Sequence, residues 1–476
     1  MFENGSAGRN QPLVAIGTVF AAALIGAAIP VYVSAMGDGV ARMMVLPAGI
    51  ALLTLLLADR KGLLILILVL RSAGDIFFEA TRFSSGGFQS GVGGVINAFV
   101  ILIVLLLVAE KPDSLPRKVI SAWAGFLLIS LIGVAISPFK SDAVRIYLTL
   151  LSYFAIFAGA FYVVRSPADY RLCIRIVLWS SVIPAIYALV QLATGGGHAF
   201  GSGLRLNGTF THPNIFAFYL VLVISLTLYM LKSSSKALSI EARTGLYLYM
   251  ILLLSLLLLT QTRSAWIACF MIFAIYGLLF ERRYLVYLVV ALIVALLIPS
   301  VQDRLFDLST GNVYVQYAKL NSFAWRRLIW ETSLQYMQPD HYFLGYGMNS
   351  FMYHSLTFFP LADPSGRGAG AHNVYVQLLF ETGVAGLLTF VWLFIRLLQF
   401  LKPMLSLDRL AAFFSIGSII AYLIVSFSDN MLGYLAFNWY FWFMVGAACS
   451  LVATTSKAKS EVRQSALPGI RPSAGK

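Results

Sequence analysis

The sequence predicts an all-α integral membrane protein with about 14 membrane-spanning helices and one large loop outside the membrane. Of its 476 residues, 59% are hydrophobic and only 11% are charged, whereas soluble domains carry roughly 25% charged residues. The apolar residues form continuous runs of about 20 residues, the length that a helix needs to cross a hydrocarbon core of ~30 Å. Barrel strands of ~10 alternating residues do not fit this pattern.

The apolar runs divide the chain into four parts. Predicted spans lie at about 13–33, 41–58, 62–78, 91–109, 119–137, 144–164, 171–194, 214–231, 244–261, 264–280, 284–300, 373–398, 409–428 and 433–453. Membrane helices therefore fill 1–300 and 372–455, on either side of a hydrophilic loop over 301–371, and a polar tail over 456–476 is predicted to be disordered. The polar N-terminus lacks a signal-peptide cleavage pattern, so we expect the first span to be retained.

Two charged residues interrupt the third predicted span. Arg71 and Asp75 stand four residues apart within an otherwise apolar stretch. At that spacing on a helix they can neutralise each other, and we interpret them as structural.

The distribution of lysine and arginine predicts the orientation in the membrane. With both termini in the cytoplasm, the inside segments hold 22 of the 34 lysine and arginine residues, as the positive-inside rule requires. The 301–371 loop and all five histidines then face outward. Basic cytoplasmic loops beside anionic lipid also explain the net charge of +14, so we expect no nucleic-acid partner.

Nothing in the sequence indicates a metal ion or a cofactor. The histidine spacings match no familiar metal site, and the outward segments contain no paired carboxylates that could hold a metal–phosphate. The three cysteines lie far apart in or near apolar runs, where they are expected to act as small buried hydrophobes.

Three polar motifs stand at the outer starts of predicted spans. They are "RLNGTFTHPN" from Arg205 to Asn214, "TQTRSAW" from Thr260, and "GAGAHNVY" from Gly368. Each following helix runs inward, so its N-terminus presents about half a positive charge and unpaired N–H groups at the outer face. With Arg205 and Arg263 beside two of these ends, the pattern predicts a site for an anion such as phosphate. The alternative is that both arginines snorkel at the membrane interface.

The last of these motifs places a histidine and an asparagine directly before an apolar run. An imidazole can accept a proton near neutral pH, so His372 could deprotonate or orient a hydroxyl, or it could simply cap the helix. Glu381 lies nine residues further on, ~13 Å along the helix and half a turn round. We interpret Glu381 as a structural group that ties the helix to a polar neighbour inside the bundle.

The outer loop contains a segment with helical periodicity. "FAWRRLIWETSLQYM", residues 323–337, predicts an amphipathic helix on the membrane or over a cavity. A loop of this size is most simply a lid or a wall over the outer site.

At these residues the chain resembles a known family. The motifs "RLNGTFTHPNIFAFYL", "TQTRSAW", "RRLIW" followed by "LGYGMNSF", and "HNVYVQLLFETGVAGLL" occur in series over 205–388. In that order they resemble the superfamily of O-antigen ligases and Wzy-type O-antigen or exopolysaccharide polymerases of bacterial inner membranes. Each motif alone is weak, and the first 190 residues are similar only in being hydrophobic.

The resemblance implies a metal-independent glycosyltransferase of the multi-span, GT-C-like type. Such an enzyme takes a glycan from undecaprenyl diphosphate at the periplasmic face and passes it to an acceptor hydroxyl, beside membrane lipid and other polysaccharide-assembly proteins. Carried over by motif, Arg205 and Arg263 would hold the diphosphate and His372 would activate or position the acceptor. Substrate-binding roles would fall to Arg326, Asn214 and Asn373.

Three functions remain open at this point. A count of about 14 spans exceeds what is typical of ligases in the family, which favours a polymerase that joins repeat units. A ligase that moves glycan to lipid A core or to protein is the nearer alternative. A transporter or lipid flippase is the alternative of another class, although transporters place polar groups at the membrane midplane and here they cluster at the outer rim.

Overall fold

The computed structural model describes residues 45–81, 83–85, 88–200, 203–233, 238–306, 311–312, 320–361, 366 and 368–465, and these are almost entirely helical. The helices before the first site motif are α1 Val45–Ala58, α2 Arg60–Arg71, α3 Asp75–Ala80, α4 Val92–Glu110, α5 Arg117–Ile136, α6 Lys140–Val163, α7 Pro167–Ser180 and α8 Val182–Thr194. Those after it are α9 Pro213–Ser233, α10 Ile240–Leu259, α11 Arg263–Leu279, α12 Arg283–Leu296, α13 Pro299–Phe306, α14 Ser322–Tyr336, α15 Ser350–Phe358, α16 Val374–Leu401, α17 Met404–Leu407, α18 Arg409–Val425 and α19 Leu435–Ser465. Two antiparallel hairpins pair β1 Phe83–Ser85 with β2 Phe88–Ser90, and β3 His198–Phe200 with β4 Gly203–Arg205.

The helices have the length and composition of membrane spans. Among the described residues, eight helical segments are long and apolar enough to cross a membrane: Val92–Glu110, Arg117–Ile136, Lys140–Val163, Pro167–Thr194, Pro213–Ser233, Ile240–Leu259, Val374–Leu407 and Leu435–Ser456. Helices α11, α12 and α18 are shorter and also apolar. The protein is therefore a multi-pass integral membrane protein. The total of 14 spans stays a prediction, and the first predicted span, 13–33, lies outside the described residues.

Two helices form the centre of the bundle. The apolar stretch of α9 is buried along its whole length, and that of α19 nearly so. A helix that is hydrophobic all round is expected in such a position. Helix α19 packs along α6, and α16 packs along α5. Aromatic rings fill the space between them, with the centroids of Trp123 and Trp442 4.6 Å apart.

The predicted third span, 62–78, is two helices in the structure. A continuing helix would pair the N–H of Ser72 with the carbonyl of Leu68. Instead the hydroxyl of Tyr440 accepts from Ser72 N at 2.9 Å and donates to Leu68 O at 2.5 Å. A side chain inserted into the hydrogen-bond ladder in this way breaks a helix, so α2 ends at Arg71 and α3 begins at Asp75.

The predicted span 171–194 is also divided, at Ser181. Proline has no N–H, and its ring clashes with the carbonyl four residues earlier. Pro184 stands four residues after Ser180, where α7 ends. The break lies against α9, because Ser180 Oγ and Tyr219 Oη are 2.7 Å apart.

Helix α16 is interrupted by a glycine that the loop before it requires. Gly383 has φ 65° and ψ −167°, a conformation that essentially only glycine adopts. The break frees backbone groups that pair with the "LGYGMNSF" segment: Tyr346 N donates to Phe380 O at 2.9 Å, and Val384 N donates to Tyr342 O at 2.9 Å. A Cβ atom on Gly383 would overlap the carbonyl of Phe343. Two motifs of the predicted family thus form one interlocked structural unit.

We expect Gly383→Ala to destabilise the folded protein. Holding alanine in this backbone conformation costs on the order of 1–3 kcal/mol, and the overlap with Phe343 adds to that. Thermal unfolding of the purified protein should therefore shift to clearly lower temperature. Gly245→Ala is the matched control, because Gly245 lies within α10 and a Cβ there meets no atom. Equal unfolding temperatures of Gly383→Ala and Gly245→Ala would contradict the conclusion that the backbone at position 383 requires glycine.

The loop over 301–371 and the tail are described in part. The helix predicted for residues 323–337 is confirmed as α14, which Asn321 caps by accepting from the N–H groups of Phe323 and Ala324 at 3.0 and 2.8 Å. Helix α19 continues to Ser465, so residues 456–465 of the predicted disordered tail are helical. Residues 466–476 lie outside the described part of the chain.

Candidate functional site

The three predicted helix starts meet at one end of the bundle. Helices α9, α11 and α16 begin at Pro213, Arg263 and Val374. The start of α9 is capped by His212, whose Nδ1 accepts from Asn214 N at 3.1 Å. The start of α16 is capped by Asn373, whose Oδ1 accepts from the N–H groups of the second and third helical residues at 2.9 and 3.2 Å. Asn373 is buried, and its side-chain oxygen is occupied by this cap.

Arg205 connects two of these helix starts. It ends the second hairpin and is only 6% exposed. Its Nε donates to the carbonyl of Thr260 at 2.8 Å. Its Nη2 donates to Asn214 Oδ1 at 2.8 Å and to Thr262 Oγ1 at 2.9 Å. The planar guanidinium thus fixes the position of the start of α9 relative to the start of α11.

An aspartate that the sequence reasoning missed stands at the centre of the site. Asp429 lies in the turn between α18 and α19 and is fully buried. Its Oδ2 accepts from Asn214 Nδ2 at 3.0 Å, and its Oδ1 accepts from the hydroxyl of Tyr434. His372 Nδ1 faces Oδ1 at 3.9 Å. We call Arg205, Asn214, His372, Asp429 and Tyr434 the polar cluster.

The surroundings keep Asp429 ionised. Burial raises the pKa of this carboxyl, but the facing imidazole of His372, the charge of Arg326 and the Tyr434 hydroxyl more than offset it, so the pKa lies below its ordinary value. Burial and the neighbouring Asp429 raise the pKa of Tyr434 well above its ordinary value, so Tyr434 remains a hydrogen-bond donor.

The two other ionisable groups at the α9 start have fixed charge states at neutral pH. Burial and the nearby charge of Arg205 lower the pKa of His212 to about 4. His212 is therefore a neutral capping group and not a base. Burial and the charge of Arg304 lower the pKa of Arg205 to about 10, so its guanidinium stays cationic.

His372 is held in a strained and specific position. Its φ is +48°, which is uncommon for a residue with a Cβ atom, and such strain concentrates at functional sites. Trp325 packs its ring edge-on against the imidazole at 5.7 Å, and Trp330 donates to the carbonyl of Ala371 at 2.7 Å. The side chain is 36% exposed, with Nδ1 turned inward toward Asp429. The other ring nitrogen is then the one available to a ligand.

Three further arginines surround the polar cluster. Arg263 donates to the carbonyl of Arg304 at 2.7 Å, and Arg304 donates to Gln261 O at 3.2 Å. Both lower the pKa of Arg205 by charge repulsion. Arg326, on α14, acts by its charge on Asp429 and makes no hydrogen bond or ion pair with any described residue. Arg205 and Arg326 thus interact with the Asp429 carboxylate, and Arg263 and Arg304 lie near Arg205. Four arginines against one buried carboxylate leave a net positive site.

The residues interpreted as structural lie outside this cluster. Glu381 is buried in α16 and accepts from Gln377 Nε2 at 3.2 Å. Arg71 Nη2 and Asp75 Oδ1 are 3.0 Å apart, and Asp75 Oδ2 accepts from Thr211 N at 3.2 Å. Within the described chain, no three His, Cys, Asp or Glu side chains are grouped so as to hold a metal ion.

An apolar groove leads away from the polar cluster. It has a volume of about 400 Å³ and runs between α11 and α18. One end is lined by Ser264 and Ser428, which adjoin Arg263 and Asp429 in sequence, and the other end reaches Arg409. Its walls are aliphatic residues along most of the length of both helices.

Comparison with known protein families identifies part of this arrangement. Residues 248–391 match the family model described as O-antigen ligase. Over these residues the chain is similar to the O-antigen ligase family. The resemblance to the O-antigen ligase and polymerase superfamily is thereby confirmed, and the family implies a glycosyl-transferring enzyme that acts on a lipid-linked glycan. No curated protein matches the chain.

The matched residues hold one member of the polar cluster, His372, together with the neighbouring Arg263, Arg304 and Arg326. Arg205, Asn214, Asp429 and Tyr434 lie on either side of them. Asp429 has one recognisable sequence signal. It is the only acidic residue between Asp408 and Glu461, and an ionisable residue among membrane helices is a functional-site candidate by default.

Proposed function

We propose that this protein is a polymerase that joins undecaprenyl-diphosphate-linked oligosaccharide repeat units into an O-antigen or exopolysaccharide at the periplasmic face of the inner membrane. The observation that carries the proposal is the polar cluster, in which a buried carboxylate faces an imidazole with four arginines nearby, at one end of an apolar groove. A lipid diphosphate donor needs cations for its phosphates, an apolar channel for its chain and a base for the acceptor.

The arginines serve as the diphosphate site. Two phosphates balance the excess positive charge of Arg205, Arg263, Arg304 and Arg326, and the α11 N-terminus adds its own partial positive charge. Arg205 is tied to Asn214 and Thr262, so it acts mainly by fixing the site. Arg326 is partly exposed and forms no hydrogen bond with a described residue, so we expect it to contact phosphate oxygens directly. Arg263 is also partly exposed, but it donates to Arg304 O and Ser322 Oγ, so it contributes chiefly its charge.

The histidine and aspartate serve the acceptor. The other nitrogen of His372 accepts the proton of an acceptor hydroxyl, and the charge of Asp429, 3.9 Å from Nδ1, stabilises the imidazolium that forms. The acceptor oxygen then forms a bond with the anomeric carbon of the donor glycan. The bond from that carbon to the diphosphate oxygen breaks, and undecaprenyl diphosphate leaves with its charge stabilised by the arginines. No metal ion is required in this scheme.

The apolar groove between α11 and α18 accommodates the polyprenyl chain. Its outer end adjoins Arg263, so a diphosphate at the arginines and a chain in the groove belong to one continuous ligand. This places the leaving group, and not the acceptor, on the α11 side of the polar cluster.

A ligase is the second candidate, because the matched family model is itself described as O-antigen ligase. Both reactions use the same donor and differ only in the acceptor. Deletion of the gene followed by glycan analysis separates them. A strain without a polymerase carries single repeat units on its acceptor, whereas a strain without a ligase accumulates full-length lipid-linked polymer. An unchanged glycan profile would contradict both.

The proposed orientation makes a topological prediction. The inside loops are basic and the polar cluster lies at the opposite ends of the helices that they join, so the cluster should face the periplasm. A reporter that is active only in the periplasm should be active when fused at Asp340 and inactive when fused at Leu238. The reverse pattern would place the polar cluster in the cytoplasm.

A further inference from the structure

A second cavity lies beside the polar cluster and is distinct from the apolar groove. Its volume is about 730 Å³. Thr211, Val374 and Gly433 line one wall of this cavity, and they adjoin His212, Asn373 and the turn that carries Asp429. Ser428 of the same turn lines the apolar groove instead. The Asp429 turn is therefore shared by the two cavities.

The inner end of the second cavity contains an ion pair with an unused donor. Arg71 and Asp75 line it and are only 4% and 8% exposed. Phe78 and Trp439 place their rings 5.0 and 5.5 Å from the Arg71 guanidinium. Arg71 Nη1 is buried and has no hydrogen-bond partner among the described residues. A buried donor without a partner costs free energy, so the Arg71–Asp75 pair keeps a hydrogen-bonding capacity that the fold itself does not use.

The chemistry of the lining indicates a neutral, hydroxyl-rich ligand. Charged side chains of both signs line the cavity: Arg71, Arg145, Asp75, Glu79 and Glu381. Amide and hydroxyl side chains add further donors and acceptors: Asn97, Gln377, Thr149 and Thr211. A phosphate would face carboxylates here, whereas it is well matched to the arginines in and around the polar cluster. Sugar hydroxyls both donate and accept hydrogen bonds, so they match a lining that contains both donors and acceptors.

The mouth of the cavity faces the lipid. Ala98, Leu102 and Leu105 of α4 and Leu148 of α6 line it and are exposed on the surface of the bundle. A ligand that enters between these apolar side chains comes from the membrane, so it carries a lipid anchor.

We propose that this second cavity binds the glycan of a lipid-anchored acceptor and presents its hydroxyl to His372. This rests on the proposed function and adds the acceptor site to it. The donor occupies the α11 side of the Asp429 turn and the acceptor occupies the Arg71 side, so the acceptor oxygen and the anomeric carbon meet at the turn. Arg71 and Asp75, which the sequence favours as structural, then bind substrate as well.

Blocking the entrance of the second cavity with a large side chain tests this proposal. Ala98→Trp places a large ring in the cavity entrance, and Val95→Trp is the matched control, since Val95 is exposed on the same helix and does not line the cavity. The substrate probe is lipid-linked glycan extracted from cells that lack the gene, and the donor-site probe is undecaprenyl diphosphate without sugar. Asn97→Leu, which removes a polar group from the lining, serves as a second variant if Ala98→Trp unfolds at lower temperature than the control.

We expect Ala98→Trp to lose roughly 10²-fold in turnover, the size of effect that misplacement of a substrate produces, while its affinity for undecaprenyl diphosphate is unchanged. Val95→Trp should behave like the wild type in both measurements. Normal turnover of Ala98→Trp would overturn the acceptor site, and so would a parallel loss of undecaprenyl diphosphate binding, which would assign the cavity to the donor. Absence of turnover by the wild-type protein would instead refute the proposed function.

Discussion

Replacing His372 by alanine is expected to reduce glycan transfer by about 10²–10⁴-fold, the contribution typical of a positioned general base. The imidazole is the group in the polar cluster that is both exposed to a ligand and backed by a carboxylate, with Nδ1 3.9 Å from Asp429 Oδ1. Binding of the lipid-linked donor should be retained, because in the proposed site the diphosphate is held by the arginines and not by the imidazole. Turnover and donor binding are to be measured on the purified protein in lipid.

Two variants separate proton removal from orientation at His372. His372→Gln keeps a group that can hold the acceptor hydroxyl but has no useful basicity, so residual activity would indicate that orientation supplies part of the rate. Glu381→Gln should mainly lower the folded yield, because Glu381 is buried in α16 beside Gln377 and glutamine keeps a hydrogen-bonding group where this residue lines the second cavity. Normal turnover by His372→Ala, together with an inactive but donor-binding Glu381→Gln, would reverse the two assignments.

Replacing Arg263 by alanine is expected to lower turnover by about 10²–10³-fold, as removal of one charge-stabilising donor typically does. Arg205→Ala should lose at least as much, because Arg205 also fixes Asn214 and Thr262. The two should differ in their lysine variants. A lysine cannot reproduce the planar fork of Arg205, so Arg205→Lys should recover little, whereas Arg263→Lys should recover part of the activity.

Arg327→Ala is the control for the Arg205 and Arg263 variants, because Arg327 lies outside the site. Arg327 neighbours Arg326 on α14, but it is exposed and pairs with Glu331. Arg327→Ala should transfer glycan normally, since exposed ion pairs contribute little. Near-normal product from both Arg205→Ala and Arg263→Ala, with the protein still in the membrane, would show that these arginines only anchor the chain at the interface.

The parts of the site set by local chemistry could be predicted from the sequence. Proline suits the first turn of a helix and asparagine suits the cap position, so the starts of α9 and α16 at Pro213 and Val374 follow from neighbouring residues. The clustering of these starts follows from the alternating direction of membrane helices. Predictions of this kind need no knowledge of distant contacts.

The parts set by long-range contacts could not be predicted. The Asn214–Asp429 hydrogen bond joins residues 215 positions apart, and no local pattern specifies it. Phosphate binding by Arg205 stays a prediction. Its hydrogen bond to the carbonyl of Thr260 joins residues 55 positions apart, so local sequence does not specify it. The break between α2 and α3 likewise depends on the hydroxyl of Tyr440. The break within α16 depends on hydrogen bonds with the backbone of residues 342–347.

The central claim is that the polar cluster transfers glycan from a lipid diphosphate, and Asp429→Asn tests it most directly. The assay follows the release of undecaprenyl diphosphate and the growth of the glycan by purified protein, in excess EDTA. The wild type should turn over under these conditions. Asp429→Asn should bind donor normally and turn over at least about 10²-fold more slowly, because the amide cannot stabilise a protonated imidazole. Equal turnover by the two proteins, or wild-type activity that requires an added divalent cation, would contradict the account.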